Sequence, residues 1–245
     1  MGRQYIEPVL FSRLAHPPTL PSLCAVCHAW GSQRVCSDCL ARFAPPVLRC
    51  QQCALQVPEG VALCGTCLRD PPPFARSVAA LDYSHPWDGL IARFKFHAAL
   101  DLAPLLAALL LEAVQRSNAP HPSLLLPVPL SAQRLRERGY NQAWELARRI
   151  GRALHCPTDA RLLLRVQDGP HQLALPREQR AANVRGAFAV EPLRLSELRG
   201  RSVALVDDVM TTGATAAEAA RVLLQAGASQ VQVWGVGRTP RPGDD

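Results

Sequence analysis

Residues 203–227, VALVDDVMTTGATAAEAARVLLQAG, limit the folds open to this chain more than any other stretch. The apolar run 203–206 has the composition of a buried strand, and the acidic pair Asp207 and Asp208 ends it. Thr211, Thr212 and Gly213 make a turn, and 214–224 has the composition and period of a helix. Strand, Gly/Thr loop and helix in that order belong to an α/β architecture, with a parallel sheet flanked by helices. Backbone N–H groups, hydroxyls and the positive end of a helix dipole converge at such a loop, which suits a phosphate group.

Two carboxylates beside that loop repel a phosphate unless they bind another part of the same ligand. Ribose hydroxyls and Mg²⁺ both qualify, because a carboxylate accepts hydrogen bonds from hydroxyls and Mg²⁺ prefers carboxylate and phosphate oxygens. A ligand with a phosphate at one end, a diol in the middle and metal-bound pyrophosphate at the other satisfies this order of groups. Phosphoribosyl pyrophosphate is such a ligand. The loop has no lysine, so it is not of the Walker A type, and no G-x-G-x-x-G is present for a dinucleotide.

Eight of the 9 cysteines form four C-x-x-C pairs: Cys24/Cys27, Cys36/Cys39, Cys50/Cys53 and Cys64/Cys67. Each such turn puts two thiolates on one side of a metal, and two turns complete a tetrahedral site, so eight ligands suit two zinc ions. Pairing neighbours gives two small ribbons; an interleaved cross-brace satisfies the same spacing. A disulfide framework fits poorly, because the N-terminal residues carry charges and prolines where a secretion signal needs an apolar run. A redox role is disfavoured by four near-regular copies with no strand–helix context. Four thiolates leave no open position for water, so the zinc is expected to be structural. Cys156 stands apart and is expected to be a small buried residue.

Residues 1–22 lack clean periodicity and read as a leader, 23–70 as a double zinc ribbon domain, and 74–240 as the α/β domain, with Pro71, Pro72 and Pro73 as a stiff break. In the α/β domain, 77–100 reads as a strand and an amphipathic helix with Leu90, Ile91 and Phe94 on its apolar face. A largely buried helix follows over 101–117, a strand over 123–128 and a helix over 141–153. Short strands are expected at 162–165 and 187–190, and 230–236 closes the sheet. Arg134, Arg136 and Arg138 precede the 141–153 helix near the carboxyl end of the sheet, where open α/β sheets bind ligands. The run Arg138 to Gln142 reads as functional, since Gly139 permits close backbone approach. The polar loop 166–180 and its flanks supply Arg165, Gln172, Arg180 and Asn183 as candidate contacts. The tail from Arg238 reads as loose.

Hydrophobic residues at 48% with 19% charged exclude a disordered chain. The net charge of +7 comes from arginine, since Lys95 is the single lysine among 27 basic residues. A lysine kept between Phe94 and Phe96 suits a point charge against phosphate; escape from a drift towards arginine accounts for it equally well. The basic balance favours polyanions such as nucleic acid, and drift explains it too. The most apolar segment, 102–114, is short and holds Pro104 and Glu112, so no membrane span is expected and the chain reads as cytoplasmic.

The run VALVDDVMTTGAT resembles the binding motif of type I phosphoribosyltransferases in its hydrophobic run, acidic pair and T-T-G-x-T. Together with the paired ribbons, L-P-V-P-L, R-L-R-E-R-G-Y-N-Q and the R-x₆-Q-x₇-R-x-x-N loop, the chain from 23 to 238 resembles the competence protein F family, which also includes proteins linked to gluconate utilisation. The resemblance implies a type I phosphoribosyltransferase fold behind an N-terminal double zinc ribbon. It implies that Asp207 and Asp208 are catalytic and hold the ribose hydroxyls, with Thr211, Thr212, Gly213, Ala214 and Thr215 around the 5′-phosphate. Lys95 and Arg138 join them as candidate contacts of phosphoribosyl pyrophosphate, with Mg²⁺ accompanying that ligand. It further implies a part in DNA uptake for natural transformation, with single-stranded DNA and the uptake machinery as partners. Two classes of function fit: a phosphoribosyltransferase whose acceptor is not legible, and a non-catalytic module that senses the ligand and binds single-stranded DNA or serves as a gluconate-type accessory protein.

Overall fold

A computed structural model describes residues 21–167 and 184–241. Regular structure is sparse in the cysteine-rich segment. There β1 (Ser22–Leu23) pairs antiparallel with β2 (Trp30–Gly31), and two short helices, α1 (Ser37–Phe43) and α2 (Gly65–Arg69), begin directly after Cys36 and Cys64. The elements that follow are β3 (Arg76–Asp82), α3 (Trp87–Phe96), α4 (Ala103–Arg116), β4 (Leu124–Pro127), α5 (Ala132–Arg138) and α6 (Gln142–Ala153). After them come β5 (Leu163–Arg165), β6 (Phe188–Val190), β7 (Ser202–Met210), α7 (Ala214–Gln225) and β8 (Gln230–Arg238).

Four parallel strands in the order β3-β8-β7-β4 form the central sheet. Successive side chains of a strand face opposite sides, and the apolar run of β7 divides accordingly. Ala204 and Val206 join α3, α4 and α6 in one buried cluster, with Trp234 and Val236 of β8. Val203 and Leu205 join α7 in the other, with Val231 and Val233. Covering both faces is what makes the run continuously apolar rather than alternating. Each fully buried large side chain, such as Leu146 or Ile91, contributes about 1.5–3 kcal/mol.

The sheet differs from expectation in three ways. β8 does not close it but lies inside, between β3 and β7; residues 231–238 are buried throughout, as an interior strand requires. The short strands β5 and β6 stand outside it and pair antiparallel with each other. β7 also runs on to Met210, with Asp207 opposite Gly235 of β8, so the two aspartates lie within the strand rather than beyond its end. The arginine segment ahead of α6 is a helix of its own, α5. Ser131 Oγ caps α5 by accepting from Arg134 N at 3.3 Å, and Gly139, at φ +80°, ends it.

The cysteine-rich segment packs on the edge of this sheet. Ser77 of β3 donates through its N–H to Gln51 O at 2.9 Å and through its hydroxyl to Gln52 O at 2.8 Å. Arg49 reaches Asp82 at 2.8 Å, Trp87 Nε1 donates to Phe43 O at 2.5 Å, and Arg34 meets Asp101 at 2.6 Å. Cys156 is half-buried, its Sγ donating to Pro122 O at 3.3 Å.

The tightest crossing is beneath α6. A Cβ on Gly151 would lie 2.0 Å from Thr158 Oγ1 and 2.9 Å from the carbonyl oxygen of Cys156. Gly→Ala inside a helix gains up to about 1 kcal/mol in propensity, whereas overpacking costs about 1–3 kcal/mol. The hydroxyl can turn aside but the carbonyl cannot, so the clash wins. Gly151→Ala is expected to lower stability by about 1–2 kcal/mol in urea unfolding, and a stabilised variant would show that the Cys156 carbonyl gives way.

Candidate functional site

A cavity of about 380 Å³ opens at the carboxyl end of the sheet, where β4 and β7 deliver their chains into loops. β7 brings Asp207, Asp208 and Met210; the turn after it brings Thr211 and Gly213; and the first turn of α7 brings Ala214, Thr215 and Ala216. Across from them stand Lys95 and Phe96 at the end of α3, Arg134, Glu137 and Arg138 of α5, Gln142 and Arg165.

Asp208 is 3% exposed. Its Oδ1 accepts from Lys95 Nζ at 2.9 Å and from Val209 N at 2.6 Å, while Oδ2 is buried without a hydrogen-bond partner among the described residues. A buried carboxylate oxygen left unpaired carries a desolvation cost, and a ligand hydroxyl or a cation relieves it. Burial, and then the charge of Asp208, push Asp207 up to about 7, with Lys95 opposing. Burial works to lower Lys95, but the two aspartates outweigh it and hold the ammonium above its ordinary pKa. Lys95 is therefore a charged partner rather than a proton donor at neutral pH.

The loop after β7 is shaped by Gly213, whose φ of +82° lets the chain turn straight into α7. Thr212 does not line the cavity; its Oγ1 accepts from Ala214 N at 3.3 Å and holds the turn. The other loop candidates, Thr211, Gly213, Ala214 and Thr215, line the cavity at a helix N-terminus, a place that favours an anion.

The segment Arg138 to Gln142 divides by role. Arg138 lies over the Phe96 ring at 5.0 Å and donates to Gln142 Oε1 at 2.5 Å, so both stand at the cavity. Asn141 instead caps α6, accepting from Ala143 N at 2.9 Å and donating to Val128 O at 3.1 Å, and Tyr140 donates to Phe94 O. Arg134 lines the cavity and Arg136 does not, as one turn of α5 separates Arg134 from Arg138 on a common face. Reading α5 as a helix would have assigned that face, and with it Glu137. Arg165 lies over Phe188 at 5.4 Å. Gln172, Arg180 and Asn183 lie outside the described residues.

The eight cysteines gather as two sets of neighbours, Cys24/Cys27/Cys36/Cys39 and Cys50/Cys53/Cys64/Cys67, each with its Sγ atoms within 4.8 Å of one another. The interleaved cross-brace is not adopted. Tetrahedral thiolates around zinc sit about 3.8 Å apart, and the Cys27–Cys36 and Cys53–Cys64 Sγ pairs are at 3.6 Å. Each set repeats one device: Cys36 N donates to Cys24 Sγ at 3.4 Å, and Cys64 N to Cys50 Sγ at 3.3 Å. Burial raises a thiol's pKa, yet hydrogen bonds hold Cys24 and Cys64 at about 6, while burial and neighbouring thiols push Cys39 up to about 12. Both sets can hold a metal ion.

No family model matches the chain. It is 36% identical over 228 residues to the DNA utilization protein YhgH of Escherichia coli strain K12, covering 90% of this chain and 99% of that one. It is 35% identical over 193 residues to competence protein F of Haemophilus influenzae, covering 77% of this chain and 84% of that one. The chain belongs to the competence protein F family. Among solved structures, the allosteric regulatory enzyme of purine biosynthesis matches 54% of this family member and 25% of its own chain at 20% identity, with a TM-score of 0.35, a likeness too slight to carry weight. No helix among the described residues is long and apolar enough to cross a membrane.

The Lys95–Asp208 pair gives this family member a testable weak point. Removing one partner of a buried ion pair costs about 3–5 kcal/mol, because the other charge is left uncompensated. Lys95 keeps a fifth of its side chain exposed, so Lys95→Met is expected to cost somewhat less, about 2–3 kcal/mol. Adding Asp208→Asn should return most of that loss in a double-mutant cycle, and strictly additive losses would show that the two groups do not interact.

Proposed function

We propose that this cavity binds phosphoribosyl pyrophosphate together with Mg²⁺, and that the chain acts as a phosphoribosyltransferase-family protein in the uptake or use of DNA. The observation that carries the ligand reading is Asp208, a buried carboxylate with one oxygen held by Lys95 and the other unpartnered, beside a helix N-terminus. The DNA role draws on the names of the relatives, competence protein F and DNA utilization protein.

In this reading the turn at Thr211 to Gly213 and the start of α7 take the 5′-phosphate, while Asp207 and Asp208 accept hydrogen bonds from the ribose diol. Lys95, Arg134 and Arg138 face the pyrophosphate end. Mg²⁺, when bound, supplies charge neutralisation of the departing pyrophosphate. The carboxylates oppose positive charge growing at the anomeric carbon, so the chain contributes orientation and electrostatics rather than a covalent step. The two four-cysteine sets hold zinc, whose four thiolates leave no position for substrate.

Calorimetric titration with phosphoribosyl pyrophosphate and Mg²⁺ tests the ligand. Asp207→Asn with Asp208→Asn is expected to abolish binding in a chain that still folds, at reduced stability because Lys95 loses its partner, and unchanged affinity would remove the reading. The pH dependence has a definite sign. Asp207 keeps its proton in the folded chain up to about 7, so affinity should climb as pH rises from 6 to 8 and level off above it. The ligand-free protein should lose stability as pH rises from about 4 to about 7 and level off above it, since the unfolded carboxyl ionises near 4 and the folded one keeps its proton to about 7; Asp207→Asn should flatten both trends. Release of pyrophosphate with a nucleobase or with single-stranded DNA as acceptor would make the chain a transferase; binding without release under every acceptor would make it a sensor.

Metal analysis of the purified chain should find two zinc ions. A metal-free, disulfide-bonded preparation with the same fold would overturn that assignment.

A further inference from the structure

Arg238, the last residue of β8, is 3% exposed, although the sequence leaves it at the start of a loose tail. Among the described residues its guanidinium reaches three separate parts of the chain. Nε donates to the carbonyl of Cys53 at 2.8 Å, and Nη1 donates to the carbonyls of Met210 at 3.0 Å, Thr239 at 2.9 Å and Thr211. Thr211 opens the turn that lines the cavity, and Cys53 ends the C-x-x-C turn of the second cysteine set.

A guanidinium is a rigid planar fork, so carbonyls bonded to its two ends are held at a fixed spacing. The position of the Cys53 carbonyl is in turn set by closure of its own cluster. Cys53 Sγ lies 3.6 Å from Cys64 Sγ, Cys64 N donates to Cys50 Sγ at 3.3 Å, and Ala54 N donates to Cys50 O at 2.8 Å. Ala54 is fully buried in the same apolar cluster as Met210, a second route from this turn to the end of β7. The first cysteine set meets the sheet domain elsewhere, through Phe43 on Trp87, Arg34 on Asp101, and Cys24 and Cys39 in the buried cluster of α3 and α4.

We propose that Arg238 is a positioning residue for the Thr211–Thr215 loop, and that through it the loop's conformation depends on metal in the second cysteine set and not on metal in the first. The ligand half of this inference rests on the reading of the cavity as a sugar-phosphate site. The structural half, a metal-dependent loop, stands without it.

The test compares the full-length, metal-loaded protein with Arg238→Met, Arg238→Lys, Cys67→Ser in the second set and Cys27→Ser in the first. Two readouts are taken: amide hydrogen exchange of the peptide covering 211–216, and affinity for ribose 5-phosphate as probe. Arg238→Met and Cys67→Ser are expected to speed exchange in that peptide and weaken the probe at least tenfold. In Arg238→Met the metal content should stay at the wild-type value. Cys27→Ser should leave exchange in the 211–216 peptide at the wild-type value. Arg238→Lys keeps the charge but loses the fork, and should behave as Arg238→Met does; full function in the lysine variant would overturn the span and leave charge alone. Equal effects of Cys67→Ser and Cys27→Ser, or unchanged exchange in Arg238→Met, would overturn the coupling. If Arg238→Met does not fold, the lysine and cysteine variants decide. Failure of the wild-type protein to bind ribose 5-phosphate would sink the reading of the cavity, while the exchange measurements still decide whether Arg238 couples the metal to the loop.

Discussion

Asp208 buried at the carboxyl end of an interior strand is the constraint around which the sheet domain is arranged. A carboxylate taken out of water is costly, and the chain offsets that cost with one buried-side lysine and one backbone N–H. Asp207 beside it adds a second acid, and burial, then the charge of Asp208, raise its pKa to about 7. Neither group improves the stability of an empty protein. Hydrophobic burial on both faces of β7 supplies the stability that lets two acids sit there.

The cysteine-rich segment is part of the same arrangement rather than an appendage. Its main-chain carbonyls at Gln51, Gln52 and Cys53 accept bonds from Ser77 and Arg238, so β3 and β8 are partly satisfied by chain that has almost no regular structure. A segment this short cannot bury enough apolar surface to hold those carbonyls still. Thiolate clusters can, because one ion fixes four side chains at once. An ion held by the second set would thus stabilise the sheet edge, and the edge the set.

Much of this was legible from residues alone. The strand–loop–helix of 202–225 announces itself through an apolar run, two acids, a Gly/Thr turn and an alanine-rich helix, and the C-x-x-C spacing announces the clusters. What stayed hidden has physical reasons. α5 was missed because its arginines and lone leucine leave no apolar stripe, none of its residues being buried. The position of β8 was missed because chain order does not fix spatial order in a sheet. The choice between neighbouring and interleaved cysteine sets depends on where the turns lie in space. Arg238 left no trace in the sequence, since its partners are carbonyls, and every residue has one.

The single lysine can now be weighed against the drift towards arginine. At 95 the basic group must neutralise Asp208 without covering it. An ammonium is a point charge: it meets Oδ1 and leaves Oδ2 free to accept from something else. A guanidinium at the same place would form the two-pronged pair that arginine favours with carboxylates, occupying both oxygens and closing the site. The arginines nearby are used differently, Arg138 over the Phe96 ring and Arg238 among backbone carbonyls, where a planar fork suits the partner. If Asp208 is to take a ligand, half of its carboxylate must stay open, and a lysine at 95 meets that condition where an arginine would not.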